Sequence, residues 1–137
     1  MKKFLIGLLA LVVVSIAVYA SSYQEAKSRA YASAVLLSAG GYKLKGMKGE
    51  YLNQSEFKTY SVYLYSGNQY AILGAGDNSV RDLDVQIYNK DWTLIASDNS
   101  NSNVSIVKFY PPRTGRYLIR TQMYSGNGYF FQMVGWR

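Results

Sequence analysis

The alternation of apolar and polar residues after Tyr42 is the feature that most restricts how this chain can fold. In the segment 81–88, for example, Leu83, Val85 and Ile87 alternate with polar residues. A period of two places successive side chains on opposite faces of a strand. Each such segment therefore has one face for a core and one face for solvent, which predicts β-strands and not helices.

Segments of this kind recur at a spacing of roughly ten residues. They are rich in Tyr, Val and Ile, and Gly, Asn, Asp, Ser and Pro separate them, as is typical of strands joined by turns. The predicted strands are 43–52, 59–65, 70–75, 81–88, 93–97, 104–109, 116–123 and 129–136. Seven or eight short strands predict a mainly β fold, an antiparallel sandwich or barrel.

A helix is predicted before the strands, over residues 23–38. Ala26, Ala30, Ala34 and Leu37 recur at three and four residues, and two glycines follow the segment, which is typical of a helix end. A stripe of small residues favours close packing. We expect it to pack on the domain that follows, and a partner protein is the alternative.

The first twenty residues have the pattern of a secretory signal peptide. Lys2 and Lys3 precede an apolar run, and small residues at Val18 and Ala20 precede a cleavage point after Ala20. We expect Met1–Ala20 to be removed on export; an uncleaved anchor helix is the alternative. The predicted domains are thus a signal peptide (1–20), a helix (21–41) and a β-sandwich (42–137).

The composition excludes several classes of function. The chain has no Cys and no His, which removes disulfides, most nucleophile–base pairs and most zinc, copper and iron sites. Its net charge of +7 would suggest nucleic acid in an intracellular protein, but export argues against that partner. The basic residues are scattered, so a solvated surface or weak attraction to anionic lipid or polysaccharide explains them.

Four aspartates are candidate calcium ligands: Asp77, Asp82, Asp84 and Asp98. Asp82 and Asp84 lie on the strand face opposite the core, so we expect them on the solvent side, tied to loop backbone. Asp77 and Asp98 lie in nearby loops, and calcium binds six to eight oxygens in irregular geometry. The alternative is a structural role, in which the carboxylates cap backbone N–H groups or pair with Arg81.

Two neighbouring carboxylates on one strand do not flank a substrate cleft as those of a glycosidase do. No motif pairs a Ser or Thr nucleophile with a Lys base. We therefore predict no catalytic residues and no enzymatic activity.

Fourteen tyrosines are many for 137 residues. Tyr63, Tyr65 and Tyr124 alternate outward and are the candidate binding residues, because exposed aromatic rings stack on sugars or pack on proteins. The alternative for Tyr63 and Tyr65 is burial under the N-terminal helix.

The sequence Y-S-G-N-x-Y occurs twice, at 65–70 and at 124–129. Gly and Asn accept a positive φ, so each copy is predicted to close a hairpin. A repeated ligand site is one interpretation, and two similar tight turns is the other.

Three segments together resemble the bacterial pre-peptidase C-terminal (PPC) domain: DLDVQIY (82–88), LIASD (94–98) and VKFYPPRTGRYLIR (107–120). The resemblance covers roughly residues 60–136. It implies a jelly-roll-like β-sandwich, a secreted context and a non-catalytic accessory role, and some related domains bind calcium or matrix polymers. The turn 89–92 lacks the glycine usual in that family, no catalytic domain is present, and the N-terminal helix lies outside the pattern.

These observations predict a non-enzymatic, exported β-sandwich module that binds a polysaccharide, a protein or another partner in the periplasm or outside the cell. We expect no nucleic-acid partner, no stable membrane span after processing, and calcium as the one candidate cofactor. A structural or self-assembling envelope subunit, with a calcium-stabilised fold, is the alternative.

Overall fold

The computed structural model describes the backbone of residues 2–137 and the side chains of residues 21–46 and 48–137. Its elements are one helix and eight strands: α1 (Lys2–Ala39), β1 (Lys43–Leu52), β2 (Phe57–Leu64), β3 (Tyr70–Gly76), β4 (Val80–Asn89), β5 (Leu94–Asp98), β6 (Val104–Phe109), β7 (Gly115–Gly126) and β8 (Gly128–Trp136). The side chains of the predicted signal peptide lie outside the described residues. Within those residues, no helix combines the length and apolar character that crossing a membrane requires.

The strands form two four-stranded antiparallel sheets. Sheet A has the order β1-β8-β3-β6, and sheet B has the order β2-β7-β4-β5. Only the β4–β5 connection stays within one sheet, whereas the other connections between consecutive strands cross the sandwich. This nested pairing is the arrangement of an eight-stranded jelly roll, so the predicted mainly β, jelly-roll-like sandwich is confirmed.

The core between the sheets is formed by the alternating apolar residues of the inner strand faces. Ile72 on β3, Ile87 on β4 and Ile119 on β7 are at most 1% exposed, and Phe109 and Tyr117 pack in the same cluster. The period-two pattern thus predicted the inner face correctly, because a jelly roll has one inner face per strand.

The two Y-S-G-N-x-Y segments do not close hairpins, so that prediction is wrong. The first connects β2 to β3 and the second connects β7 to β8, and both connections pass from sheet B to sheet A. Gly67 and Gly126 do take positive φ angles of 96° and 84°. The turn chemistry was therefore read correctly, but the flanking strands belong to different sheets.

Helix α1 packs on the outer face of sheet A, against β3 and β8. Ala26 and Ala30 are fully buried and lie in one cluster with Ala75 and Phe131. Small side chains allow the helix backbone to approach the sheet closely. The expectation that the helix packs on its own domain is confirmed for the Ala stripe.

Polar contacts fix the helix at the turn between β3 and β4. Asn78 Nδ2 donates to Glu25 Oε2 at 2.8 Å, and Asn78 Oδ1 accepts from Arg29 Nη2 at 2.6 Å. Arg29 also donates to the Gly76 carbonyl. Glu25 and Arg29, one turn apart, thus hold the same asparagine, which sets the position of the helix along the sheet.

We predict that Ala30→Leu lowers the free energy of unfolding by about 1–3 kcal/mol, because the larger side chain has no room between the helix and sheet A. Ala32→Leu is the matched control, since Ala32 is exposed on the same helix and Leu is nearly as good a helix former as Ala. Urea titration of both variants measures the effect. Equal stability would show that the helix does not pack tightly on the sheet.

Candidate functional site

The two long sides of the sandwich differ in how their edge strands meet. On one side, the edges are β5 and β6. Asp98 Oδ2, at the end of β5, accepts a hydrogen bond of 3.0 Å from the Ile106 amide of β6. The Leu83 amide donates to the Ser102 carbonyl at 2.8 Å. This side of the sandwich is therefore closed.

On the other side, the edges are β1 and β2, and β1 is bent by a bulge. The pairing of β1 with β8 shifts between Lys45 and Lys48, and Gly46 within that step has a φ of 68°. A bulge bends the strand that contains it, and an L residue with a side chain would be strained at this φ. The open side of the sandwich lies at this bulge.

A cleft runs between β1 and β2. It consists of two adjoining cavities of about 350 and 650 Å³. They share Lys45, Lys48, Val62 and Val134 among their lining residues, so they form one continuous space. We call this space the edge cleft.

The edge cleft has the smaller cavity at one end and the larger cavity at the other, which we call its narrow end and its wide end. Near the β1–β2 turn, Lys58 Nζ and Glu50 Oε1 lie 3.7 Å apart, and Lys48 Nζ lies 5.1 Å from the centre of the Tyr60 ring. Burial, and then the charge of Glu50, raise the pKa of Tyr60. These contacts between β1 and β2 hold the narrow end together, and the larger cavity extends from it to Tyr65.

Tyr63 and Tyr65 lie at the wide end of the edge cleft. They are 57% and 56% exposed, and their rings form an edge-to-face pair with centroids 5.3 Å apart. The helix packs on sheet A, so it does not cover them, and the alternative of burial under the helix is wrong. Two aromatic rings therefore stand free beside an open cleft.

Tyr124 is exposed but belongs to another part of the surface. Tyr63 pairs with Arg116 on β7, and Tyr124 lies eight residues further along that strand, roughly 26 Å away at 3.3 Å per residue. The structure therefore brings together only two of the three predicted binding tyrosines.

The sequence pattern did not predict Lys45, Lys48 or Trp136 as site residues. Each lines the edge cleft. The signal available in the sequence was Gly46 between two lysines in a predicted strand, since an isolated Gly in a strand suggests a bulge. Which strand lies opposite β1 depends on topology, which the local pattern does not contain.

Asp82 and Asp84 are only 7% exposed, so the expectation that they lie on the solvent side is wrong. Neither carboxylate is fully tied to loop backbone: Oδ1 of each is buried and has no hydrogen-bond partner among the described residues. Burial first, then the neighbouring carboxyl of Asp82 and the charge of Asp98, raise the pKa of Asp84 to about 6. Two adjacent buried carboxyls favour sharing one proton, because the charged forms repel each other and are poorly solvated.

Asp77 and Asp98 have the structural role that the sequence left open. Asp77 accepts from the amides of Ser79 and Tyr129, both at 2.8 Å. Asp98 accepts from the amides of Ser100 and Ile106, at 2.9 and 3.0 Å. Burial acts to raise the pKa of Asp98, but the hydrogen bonds from Ser100 and Ile106 outweigh it and lower that pKa.

The four aspartates do not form one calcium site. No group of three or more acidic side chains is arranged to hold a metal ion among the described residues. Both oxygens of Asp77 and of Asp98 already accept backbone hydrogen bonds. The free oxygens of Asp82 and Asp84 are fewer than the six to eight that calcium requires, so only this pair is left as a partial ligand set.

Comparison with known proteins gives similarity in structure but not in sequence. No protein-family model matches the chain, and no curated protein matches it. The pre-peptidase C-terminal domain of collagenase from Bacillus anthracis is 15% identical with a TM-score of 0.55, over 65% of this chain and 87% of that one. PliG from Aeromonas hydrophila, a periplasmic lysozyme inhibitor of g-type lysozyme, is 12% identical with a TM-score of 0.53, over 72% of this chain and 90% of that one.

Identities this low show the fold alone. The expected PPC-like β-sandwich is confirmed as a statement about the fold.

We predict that the raised pKa of Asp84 makes stability fall as pH rises. In the folded state the pKa of Asp84 is about 6, against an ordinary value of 3.8 for an aspartate carboxyl. The contribution of this bound proton to the free energy of unfolding is therefore fully present below pH 4. It is lost as the pH rises through 6, and the loss is up to about 3 kcal/mol. Asp84→Asn should remove this slope, and urea titrations from pH 4 to pH 7.5 in EDTA measure it.

Asp91→Asn is the control for the same titrations, because Asp91 is exposed in the β4–β5 turn. It should keep the slope of the parent protein. If the free energy of unfolding of Asp84→Asn changes with pH as that of the parent protein does, Asp82 and Asp84 do not share a proton.

Proposed function

We propose that this protein is a non-enzymatic, exported β-sandwich module that binds a polymer or a partner protein in the cell envelope or outside the cell. The observation that carries the proposal is the edge cleft, with the free Tyr63–Tyr65 pair at its wide end and Lys45 and Lys48 on its wall. An open, partly apolar concave site with a few polar groups is the usual form of a binding site.

Three further points support the proposal. The chain has no Cys or His, so the cleft contains neither of the commonest nucleophile–base partners. The N-terminal pattern of a signal peptide supports export to the periplasm or beyond. PliG, which has a similar fold, is an inhibitor of a lysozyme, so a sandwich of this kind serves as a protein-binding module in at least one other protein.

Calcium enters the proposal only at the Asp82–Asp84 pair, because each of these carboxylates has one buried oxygen without a partner. A cation there would replace the shared proton. If it binds, millimolar calcium raises the melting temperature at pH 7 relative to EDTA, since an ion that binds only the folded state stabilises it by mass action. The double variant Asp82→Asn/Asp84→Asn should show no difference, and an unshifted parent protein would exclude the ion.

The second candidate is a self-assembling envelope subunit, for which Val35 and Leu36 are the specific observation. They are 66% and 75% exposed on the face of α1 that points away from sheet A. Light scattering over a concentration series distinguishes the two candidates, because an assembling subunit grows with concentration and a monomeric binding module does not.

We predict that Tyr63→Ala/Tyr65→Ala loses the ligand of the edge cleft but keeps the fold. Both rings are more than half exposed, so their removal should change the free energy of unfolding by less than about 1 kcal/mol. The measurement is a pull-down from the native envelope and medium with the parent and variant proteins, together with their melting temperatures.

Tyr110→Ala is the matched control, because Tyr110 is 65% exposed and does not line the cleft. It should capture the same ligand as the parent. A double variant that unfolds would show that the two rings are structural, and a double variant that captures the ligand unchanged would place binding elsewhere.

A further inference from the structure

The cleft-lining residues of β2, together with Tyr65 directly after it, are consecutive from 59 to 65. Side chains alternate between the two faces of a strand, so one face alone could contribute only every second residue. A run of seven means that the cleft follows the free edge of β2, where backbone N–H and C=O groups lie. The other edge of β2 is paired with β7 from Phe57 to Leu64.

Unpaired backbone groups at a sheet edge are a template for another strand. The other edges of this sandwich are less suitable for that role. On the closed side, Asp98 already accepts the Ile106 amide across the two edges. Across the cleft, β1 is interrupted by the bulge at Gly46, which breaks the regular row of edge groups. β2 is therefore the edge that is both regular and open.

The charge of the cleft is positive. Lys45 and Lys48 are exposed on the wall opposite β2, and no Asp or Glu is among the described residues that line either cavity. Glu50, the nearest acid on β1, lies 3.7 Å from Lys58 at the narrow end. A ligand that follows β2 therefore passes two lysines without meeting a carboxylate of the cleft wall.

We propose that the edge cleft binds an extended, acidic segment of a partner protein, which adds as a strand to the free edge of β2. Strand addition gives affinity through main-chain hydrogen bonds and specificity through alternate side chains. The six residues of β2 that line the cleft, together with Tyr65, span roughly 23 Å, the length of a six- or seven-residue strand. Acidic side chains on one face of that strand would meet Lys45 and Lys48. The inference rests on the proposed binding function and names its ligand class.

The test uses the purified full chain and a blocked seven-residue peptide that alternates glutamate with valine. Two variant peptides test charge and main-chain hydrogen bonding separately. One has glutamine in place of glutamate, and the other carries N-methyl groups on alternate residues. Calorimetry measures affinity, and amide hydrogen exchange followed by NMR measures protection along β2. A polygalacturonate fragment of similar length and charge tests an anionic polysaccharide in the same cleft.

We expect the glutamate peptide to bind and to slow exchange of the edge amides of β2. The glutamine peptide should bind about tenfold more weakly at low salt, because two charge pairs are lost. N-methylation should abolish binding, since it removes main-chain donors without changing the charge. Lys45→Gln/Lys48→Gln should reproduce the glutamine effect, and Lys90→Gln, an exposed lysine outside the cleft, should not.

Three results would overturn the inference: no binding of the glutamate peptide, equal binding of the N-methylated peptide, or binding without protection of β2. If polygalacturonate binds in a manner that depends on Lys45 and Lys48 but the peptide does not, strand addition is wrong and the binding function of the cleft remains. If Tyr63→Ala/Tyr65→Ala also leaves the envelope pull-down unchanged, the ligand binds elsewhere and the binding function of the cleft fails as well.

Discussion

The buried carboxylate of Asp77 is the interaction on which much of the architecture depends. It accepts the amides of Ser79 and Tyr129 and so ties the β3–β4 turn to the start of β8. A buried carboxylate without such partners would cost several kcal/mol. Space around it is fully used, because a Cβ at Gly128 would lie 2.5 Å from Asp77 Oδ1 and a Cβ at Gly126 would lie 2.3 Å from the Ser79 carbonyl oxygen.

The same turn also receives the helix. Asn78, next to Asp77, is held by both Glu25 and Arg29, so the position of α1 on sheet A follows from the geometry of a turn that the carboxylate fixes. Placing the helix on sheet A has a consequence at the other side of the molecule. The edge of β2 and the rings of Tyr63 and Tyr65 stay free, because the one element that could have covered them is used elsewhere.

The sandwich is thus asymmetric in a way that suits binding. At the β5–β6 side, a charged hydrogen bond from Ile106 to Asp98 closes the gap between the sheets. At the β1–β2 side, the bulge at Gly46 bends the edge strand and leaves the edge cleft open. The Asp82–Asp84 pair is a second unusual feature of the sandwich. Burial, and then the neighbouring carboxyl of Asp82, raise the pKa of Asp84 to about 6. Such groups reduce stability near neutral pH unless a proton or a cation relieves them.

The sequence by itself determined the strands, the inner core face and the end of the helix, because a period of two or of three to four residues is a local property that burial of one face makes visible. The helix begins at Lys2 and not at residue 23, so its start was not predicted. It also indicated turns at both Y-S-G-N-x-Y segments, where Gly67 and Gly126 take positive φ angles. It did not determine that these turns join different sheets, because sheet membership depends on pairing between strands far apart in the chain.

For the same reason the alternation placed Asp82 and Asp84 on the correct outer face, but it could not show that they are buried there. The edge cleft was also beyond the sequence, since Lys45 on β1 and Tyr63 on β2 become neighbours only when two sheets are stacked with one edge open. Tertiary structure decided the site because a cleft between edges is a relation between strands, whereas the sequence pattern describes each strand alone.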